Sequence, residues 1–311
     1  MGVREEEGLK RLTIKDLPDE EYYMPGNILC AGCGESLAMR LALKVLGKNT
    51  IAVTVPGCAS ASLMMGACAV PLLVGPFAGG GALASGVEAA LSAKGKLEGI
   101  NVVAFVGDGG TADIGFQSLS SMVERGHDVI YICLDNEAYM NTGGQRSGTT
   151  PRGASTTTTP VGPALRGKPQ NRKNLPLIIA DHKAPYVATA SVGYPLDYIN
   201  KVLKASQIRG PKYIQVLCPC PVGWGFRESK TVELARLAVD CKAWPLYEVE
   251  HGVLKFTFEP KKPKPLKDYI VQQRRFSHFT DEDIEAMQAM LDEEWKQLKF
   301  RERMSMEAGS C

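Results

Sequence analysis

Hydrophobic positions in this chain follow two patterns in turn. In GESLAMRLALKVLG (34–47) they fall at 37, 38, 41, 42, 45 and 46, one face of a helix, and Gly47 closes the run. IAVTV (51–55) is apolar nearly throughout and ends at Pro56-Gly57-Cys58. The two patterns then succeed each other down the chain. Further helices are predicted over 83–95, 113–126, 195–206 and 227–240, and further strands over 101–106, 128–135, 186–190 and 213–217. Continuous apolar strands separated by helical segments make a parallel sheet covered on both faces. The expected fold class is therefore α/β, a doubly wound, mostly parallel sheet with no internal repeat.

Some stretches fall outside this rhythm. Residues 1–25 read as an extended N-terminal arm. LMMGACAVPLLVGPFAGGGALASG (63–86) is weakly polar but broken by Pro71, Pro76 and a glycine run, so it reads as a buried strand and loop. Residues 136–175 form a long loop rich in Thr, Gly, Pro and Arg, and loops of that length are functional or disordered. The composition changes from Trp244. A hairpin is expected over 247–258, a basic, Pro-rich extended segment over 259–269 and a charged helix over about 281–303. The expected division is a main domain over 1–243 and a C-terminal extension over 244–311 that contacts partner subunits.

Charge and composition narrow the function classes. A net charge of +2 gives no reason to expect nucleic acid or an anionic membrane as partner. No apolar run approaches the roughly 18 residues of a membrane span. The opening MGVREEEGLKRL is charged throughout and does not read as a signal peptide, which places the chain in the cytoplasm. Nine cysteines, an odd count, do not make a disulfide framework there. Cys68 and Cys133 sit in apolar runs and read as buried small hydrophobes. Cys241 and Cys311 stand alone. Cys30, Cys33, Cys58, Cys218 and Cys220 remain.

Cys58, Gly107-Asp108-Gly109, Asn136 and Cys220 all follow the carboxyl ends of predicted strands, where open α/β sheets bind their ligands. VGDGGTADIG followed by Asn136, 28 residues after Asp108, matches the thiamine diphosphate signature. Mg²⁺ requires six oxygens and usually takes few from protein. Asp108 offers a carboxylate, Asn136 an amide oxygen and Ala138 a backbone carbonyl; diphosphate oxygens and water would complete the shell. Gly107, Gly109 and Gly110 let the backbone approach the diphosphate. Asp113 and Ile114 are expected to open the next helix, whose N-terminus favours the anion. A Gly-Asp-Gly alone is often only a turn; the spacing to Asn136 and the flanking strands distinguish this one.

The cysteines form a C-x2-C pair, then Cys58, 25 residues past Cys33, then a distant Cys218 or Cys220. Structural zinc sites are usually two compact pairs. A thioredoxin-type pair needs no further cysteines. Four thiolates drawn from distant loops suit a [4Fe–4S] cube, and unliganded thiols are the plain alternative.

Taken together, the two constellations resemble one family, the β subunits of multi-subunit 2-oxoacid:ferredoxin oxidoreductases of the pyruvate synthase type. The matching stretches are CAGCG (30–34), PGC (56–58), GDGGTADIGFQSL (107–119), ERGHDVIYICLDNEAYMNTGGQRS (124–147), TP (150–151), CPCPVGWGF (218–226) and FSHFTDEDIEAMQ (276–288). The resemblance implies that Cys220 rather than Cys218 is the last cluster ligand, joining Cys30, Cys33 and Cys58. It implies that Glu35, Cys58, Gly107, Asp108, Gly109, Gly110, Asn136, Glu137, Ala138, Tyr139, Met140 and Asn141 line the cofactor, with Asn141 and Thr142 nearest the chemistry. The implied cofactors are thiamine diphosphate, Mg²⁺ and one [4Fe–4S] cluster.

The implied reaction is oxidative decarboxylation of a small 2-oxo acid, pyruvate first, with electrons passed to ferredoxin and the acyl group to coenzyme A. The implied partners are α, γ and, where present, δ subunits, assembled as a dimer of heteromeric units. No C-x2-C-x2-C-x3-C run occurs, so clusters that carry electrons outward belong to another chain, and the resemblance puts the carboxylate that activates thiamine on the α subunit. The chain alone is expected to be inactive. It departs from the family at PFAGGGALASG (76–86), where members that use pyruvate commonly carry a segment like FENAA. That departure keeps oxalate and a branched 2-oxo acid as alternative substrates. A non-redox thiamine-dependent decarboxylase or transferase, and a non-catalytic electron-transfer module, are the competing classes.

Overall fold

Within each continuous apolar strand the pleat sends alternate side chains to opposite faces of the sheet. Phe105, Ile132, Leu134 and Ile214 point to one face, and Val106, Tyr131, Cys133 and Tyr213 to the other. Both faces are covered, which is why these strands carry no polar alternation. The computed structural model describes residues 11–308. Its strands are β1 (Thr50–Thr54), β2 (Leu72–Val74), β3 (Asn101–Gly107), β4 (Ile130–Asp135), β5 (Tyr186–Ser191), β6 (Lys212–Leu217), β7 (Leu246–Glu250) and β8 (Val253–Phe258). They form one sheet in the order β2-β1-β3-β4-β6-β5-β7-β8. β1 to β6 pair in parallel, and β7 and β8 add an antiparallel edge.

The helices are α1 (Gly34–Leu46), α2 (Cys58–Ser62), α3 (Gly80–Ala93), α4 (Asp108–Ala112), α5 (Phe116–Glu124), α6 (Leu175–Asp181), α7 (Pro195–Gln207), α8 (Pro221–Trp224), α9 (Thr231–Asp240), α10 (Leu266–Ile270) and α11 (Asp281–Ala308). α1 and α7 cover one face through Met39, Leu43, Tyr198 and Val202. α3, α5 and α6 cover the other through Ala84, Leu119, Met122 and Ile179. The doubly wound, mostly parallel sheet read from the sequence is the observed architecture. From β1 the chain moves outward to β2, then crosses back to place β3 on the other side of β1. The crevice at such a switch point is where this kind of sheet takes its ligand.

Residues 11–25 of the expected arm lie across the first layer. Leu12 exchanges two hydrogen bonds with the Asn200 side chain of α7, at 2.8 and 3.0 Å, and Lys44 of α1 donates to Pro18 O at 2.6 Å. Residues 1–10, and Cys311, lie outside the described residues.

The expectation of a buried 63–86 segment is corrected. Met64 and Met65 are 60% and 67% exposed, and β2 leaves Leu73 and Val74 partly exposed. The reason is position: β2 is an edge strand that pairs only with β1, so its apolar composition is not matched by cover. Cys68 is half-buried, and Cys133 is buried. The helix expected over 113–126 is also corrected. α4 opens earlier, at Asp108, and breaks at Asp113; α5 then starts at Phe116. The fold-back is tight, since a β-carbon on Gly115 would lie 2.0 Å from Gly110 O.

Residues from 244 onward pack on the body. β7 pairs with β5, and a third core cluster joins Leu217, Trp224 and Leu234 to Trp244, Tyr269 and Leu291. α11 also protects the free edge of β8. Its Ser305 and Glu302 side chains accept from the Leu254 and Phe256 N–H groups at 3.0 and 2.9 Å, which removes a template for strand addition. Among the described residues no helix is long and apolar enough to cross a membrane.

Candidate active site

The strand order sets four carboxyl ends side by side, β1, β3, β4 and β6, followed in turn by Cys58, Asp108, Asn136 and Cys220. Between them lies a cavity of about 260 Å³. Glu35, Cys58, Gly107, Asp108, Gly109, Gly110, Asn136, Ala138, Tyr139, Met140, Asn141 and Thr142 line it, together with Phe77. Glu137 stands apart from these. Its carboxylate turns away from the cavity to Arg275, at 2.5 Å. A larger cavity of about 510 Å³, between residues 152–171 and α11, contains none of these side chains.

Negative charge collects under the cavity floor. Glu35, Asp108 and Asp135 are all buried. Burial pushes Glu35 up to about 7, with the Asp135 charge adding to it against the Asn136 hydrogen bond. Burial, and then the Glu137 charge, pushes Asp135 up to about 6. Asp108 is raised for the same first reason, with Asp135 as its repelling neighbour. Asn136 Nδ2 donates to Glu35 Oε1, and Asn136 Oδ1 accepts from the Ala138 N–H at 3.1 Å. One oxygen of Asp108 receives the hydroxyls of Ser147 and Thr149. Its other oxygen, Oδ1, is buried without a hydrogen-bond partner, and so is Glu35 Oε2.

A hard cation and a polar ligand fit this floor. An unpartnered buried carboxylate oxygen is costly alone and well matched to Mg²⁺. The glycines fit as well. A β-carbon on Gly109 would lie 2.5 Å from the Tyr139 ring, and one on Gly110 3.0 Å from Val106. Tyr139 is itself fixed by its hydroxyl, which donates to Asp113 Oδ2 at 2.9 Å. Asp113 therefore anchors the cavity wall; it does not open a helix.

The thiols gather beside the cavity. The CAGCG loop is seated on the turn that carries Cys220. Gly34 N–H donates to Pro219 O at 3.3 Å, and a β-carbon on Gly34 would lie 2.7 Å from the Cys218 carbonyl carbon. Gly32 is in a left-handed conformation, and a β-carbon there would meet Glu228 O at 2.2 Å. Thr231 donates to Gly32 O at 2.5 Å. Cys218 is fully buried in the core, whereas Cys33, Cys58 and Cys220 are half-buried and Cys30 is exposed. As thiolates, Cys58 would feel the charges of Cys33 and Cys220, Cys33 that of Cys220, and Cys220 that of Cys30. Burial pushes Cys33 up to about 12, with Glu35 adding to it, and raises Cys58 and Cys220 as well. Thiolates here would need a neighbouring positive centre, such as iron would supply. The Asn141 amide stands beside the Cys58 thiol and favours its ionised form.

Among the described residues no three His, Cys, Asp or Glu side chains converge on a point that would hold one metal ion. Neither implied group calls for that. Mg²⁺ would take one carboxylate with amide and backbone oxygens, and a cube takes one thiolate at each iron.

Several residues at the site escaped sequence reading: Asp135, Ser147, Thr149 and Arg275. Ser147 and Thr149 lie in the long Thr-rich loop, whose composition was the available signal. The loop is ordered by Lys168, a buried side chain that donates to Thr150 O at 2.6 Å.

Comparison with known proteins agrees with this geometry. Residues 57–216 match the thiamine pyrophosphate enzyme, C-terminal TPP binding domain family. The chain is 52% identical over 91% of its length to pyruvate synthase subunit PorB of Methanothermobacter marburgensis, 99% of which is covered. It is 47% identical over 94% of its length to ketoisovalerate oxidoreductase subunit VorB of Pyrococcus horikoshii, 96% of which is covered. A chain of the solved 2-oxoglutarate:ferredoxin oxidoreductase from Magnetococcus marinus shares the fold, with a TM-score of 0.56 and 24% identity over 69% of this chain and 79% of that one. With a thiamine pyrophosphate-binding domain over half its length and PorB and VorB relatives matched almost end to end, the chain belongs to the β subunits of the 2-oxoacid:ferredoxin oxidoreductases.

Proposed function

We propose that this chain holds thiamine diphosphate, Mg²⁺ and one [4Fe–4S] cluster, and that within a heteromeric enzyme it oxidatively decarboxylates pyruvate and passes the electrons to ferredoxin. The observation that carries the proposal is the position of Cys58. It lines the cavity and also stands within electrostatic reach of Cys33 and Cys220, so one residue belongs to both sites.

Each residue then has a task. Asp108 Oδ1, Asn136 Oδ1 and the Ala138 carbonyl would hold Mg²⁺, with Ser147 and Thr149 keeping the other Asp108 oxygen turned inward. Gly107, Gly109 and Gly110 bring backbone up to the diphosphate. Glu35, Tyr139 and Met140 wall the cavity, and Asn141 and Thr142 face the reacting end of the substrate. Cys30, Cys33, Cys58 and Cys220 would ligate the cube. When bound, thiamine diphosphate supplies the electron sink for cleaving the bond between the 2-oxo carbon and the carboxylate, and the cube supplies a one-electron acceptor beside it.

The full reaction draws on α and γ subunits, and on δ where present, with coenzyme A as acyl acceptor, in a dimer of heteromeric units in the cytoplasm. Residues 244–311 contribute surface to those partners.

Pyruvate is supported by PorB relatives at 48% to 52% identity. A branched 2-oxo acid is the second reading, supported by VorB at 47%. The unusual glycines of 79–81 do not argue against pyruvate. A β-carbon on Gly81 would meet Ser118 O at 2.4 Å, and one on Gly80 would meet Val106 at 3.0 Å, so both serve the packing of α3. Of that segment, Phe77 reaches the cavity.

The test is made on the assembly purified anaerobically with its partners. Thiamine and iron are quantified, and kcat/KM for ferredoxin reduction is compared between pyruvate and 2-oxoisovalerate. A preference for pyruvate supports the proposal, the reverse order selects the second reading, and absence of thiamine contradicts both.

A further inference from the structure

We infer that Arg275 is a positioning residue that fixes the cofactor loop against the turn carrying Cys220, and so sets the separation of the thiamine site from the cluster. What those two parts hold rests on the proposed function; the geometry does not.

Arg275 lies in the C-terminal segment, far in sequence from both sites, yet it is buried against Glu137 and Trp224, behind the cavity wall. Its Nη2 donates to Glu137 Oε2 at 2.5 Å, and both side chains are 3% exposed. Its Nε donates to Gln273 Oε1 at 2.9 Å, and Gln273 in turn donates to Tyr269 O at 2.8 Å. Its guanidinium carbon stands 3.7 Å from the centroid of the Trp224 ring. Trp224 Nε1 donates to Asn136 O at 2.8 Å. The contacts form a closed ring of Arg275, Glu137, Asn136 and Trp224.

The ring joins the two sites at their ends. Asn136 is the proposed Mg²⁺ ligand. Trp224 ends α8, whose N-cap is Cys220, and the Cys220 sulfur accepts from Gly223 N–H at 3.3 Å. The two segments also touch directly, since a β-carbon on Gly223 would lie 2.0 Å from Met140 Sδ.

Glu137 shows that the arrangement is imposed. Its φ is +63°, a region non-glycine residues seldom occupy without being held there. Arg275 holds its carboxylate, and Thr150 donates to its carbonyl at 2.5 Å. The backbone around Arg275 is tied to the end of the Cys220 turn and to the Thr-rich loop: Arg274 N–H donates to Gly225 O at 3.4 Å, and Arg275 O accepts from Ser155 N–H at 2.9 Å. Only a planar guanidinium can pair with Glu137 at one edge and stack on Trp224 with its face; a lysine ammonium does not do both. Electron transfer falls off exponentially with distance, so a ring that fixes these two turns bears directly on its rate.

A purely structural anchor would affect stability alone, and the test separates the two. The assembly is prepared with Arg275→Lys and with the charge-matched pair Arg275→Met, Glu137→Gln, which leaves no buried carboxylate unpaired. Thiamine and iron are quantified, KM and kcat for the 2-oxo acid are measured, and the loss of visible absorption on mixing with the 2-oxo acid is followed by stopped flow. The expected result is normal thiamine and iron content and little change in KM, with bleaching and kcat slowed about tenfold to a hundredfold in both variants. Wild-type bleaching rates in a loaded variant, with only the melting temperature lowered, would overturn the inference. If the double variant does not assemble, the Arg275→Lys assembly decides by the same readings. Missing iron or thiamine in the wild-type assembly would be a failure of the proposed function, not of Arg275.

Discussion

The Thr149 hydroxyl lies 2.8 Å from Asp108 Oδ2 and also 2.9 Å from Asp135 Oδ1. One hydroxyl thus bridges the two carboxyls, and burial favours the protonated form of each. Gln215 Nε2 holds the far oxygen of Asp135 at 2.6 Å, and Glu137 N–H holds the near one at 2.9 Å. Thr149 therefore orients the proposed Mg²⁺ ligand through a fixed neighbour.

Replacing Thr149 by Val keeps the shape and removes the hydroxyl. Partners behind a metal ligand are commonly worth about tenfold to a hundredfold in affinity. Mg²⁺-dependent thiamine diphosphate binding to the Thr149→Val assembly is expected to weaken by that order, with iron content unchanged. Calorimetric titration with the cofactor at fixed Mg²⁺ checks it; unaltered affinity would mean that Asp108 is held without Thr149.

The buried carboxylates give stability a pH dependence of definite sign. Glu35 is raised from 4.5 to about 7, and Asp135 from 3.8 to about 6. A carboxyl raised in the native state stays protonated there while the unfolded chain has already lost its proton. Stability is thus full below the ordinary values and falls as pH rises toward the native ones. The cofactor-free protein is expected to melt at progressively lower temperature from about pH 4 to 7. Glu35→Gln should flatten the curve, which thermal melts across that range will show.

Two glycines separate packing from binding. At Gly81 a β-carbon would press on the backbone of α5, 2.4 Å from Ser118 O. Gly81→Ala should cost about 1–3 kcal/mol of stability, as overpacking does, and leave cofactor affinity alone. At Gly109 the collision is with the Tyr139 ring, which lines the cavity. Gly109→Ala should weaken cofactor binding more than stability. Melting temperature and cofactor titration on the two variants distinguish the effects.

The sheet was legible because its inner strands are buried on both faces, so that 101–106 and 128–135 stand out as unbroken apolar runs with polar punctuation after them. That punctuation named Cys58, Asp108, Asn136 and Cys220, which the topology sets on adjacent strands. The break at Asp113 was not legible, because Asp113 looks like a helix start and its real partners, Tyr139, Gly148 and Lys173, are distant in sequence. Apolar composition also misled at Met64, Met65, Leu73 and Val74, where an edge position overrides hydropathy. Arg275 could not have been found at all by local pattern. It lies 138 residues from Glu137, and nothing in FSHFT beside it signals a buried ion pair.

In the proposed function the thiols at the cavity hold iron and the carboxylates hold the cofactor. The most direct test is an anaerobic visible spectrum with iron, sulfide and thiamine analysis on the assembly, compared with its Cys220→Ala and Asp108→Ala variants. The expected result is a broad visible absorption bleached by dithionite. Cys220→Ala should lack one cube's four irons per chain yet retain thiamine, and Asp108→Ala should show the reverse. Unchanged iron in Cys220→Ala would contradict the cluster assignment and the ferredoxin-linked mechanism with it.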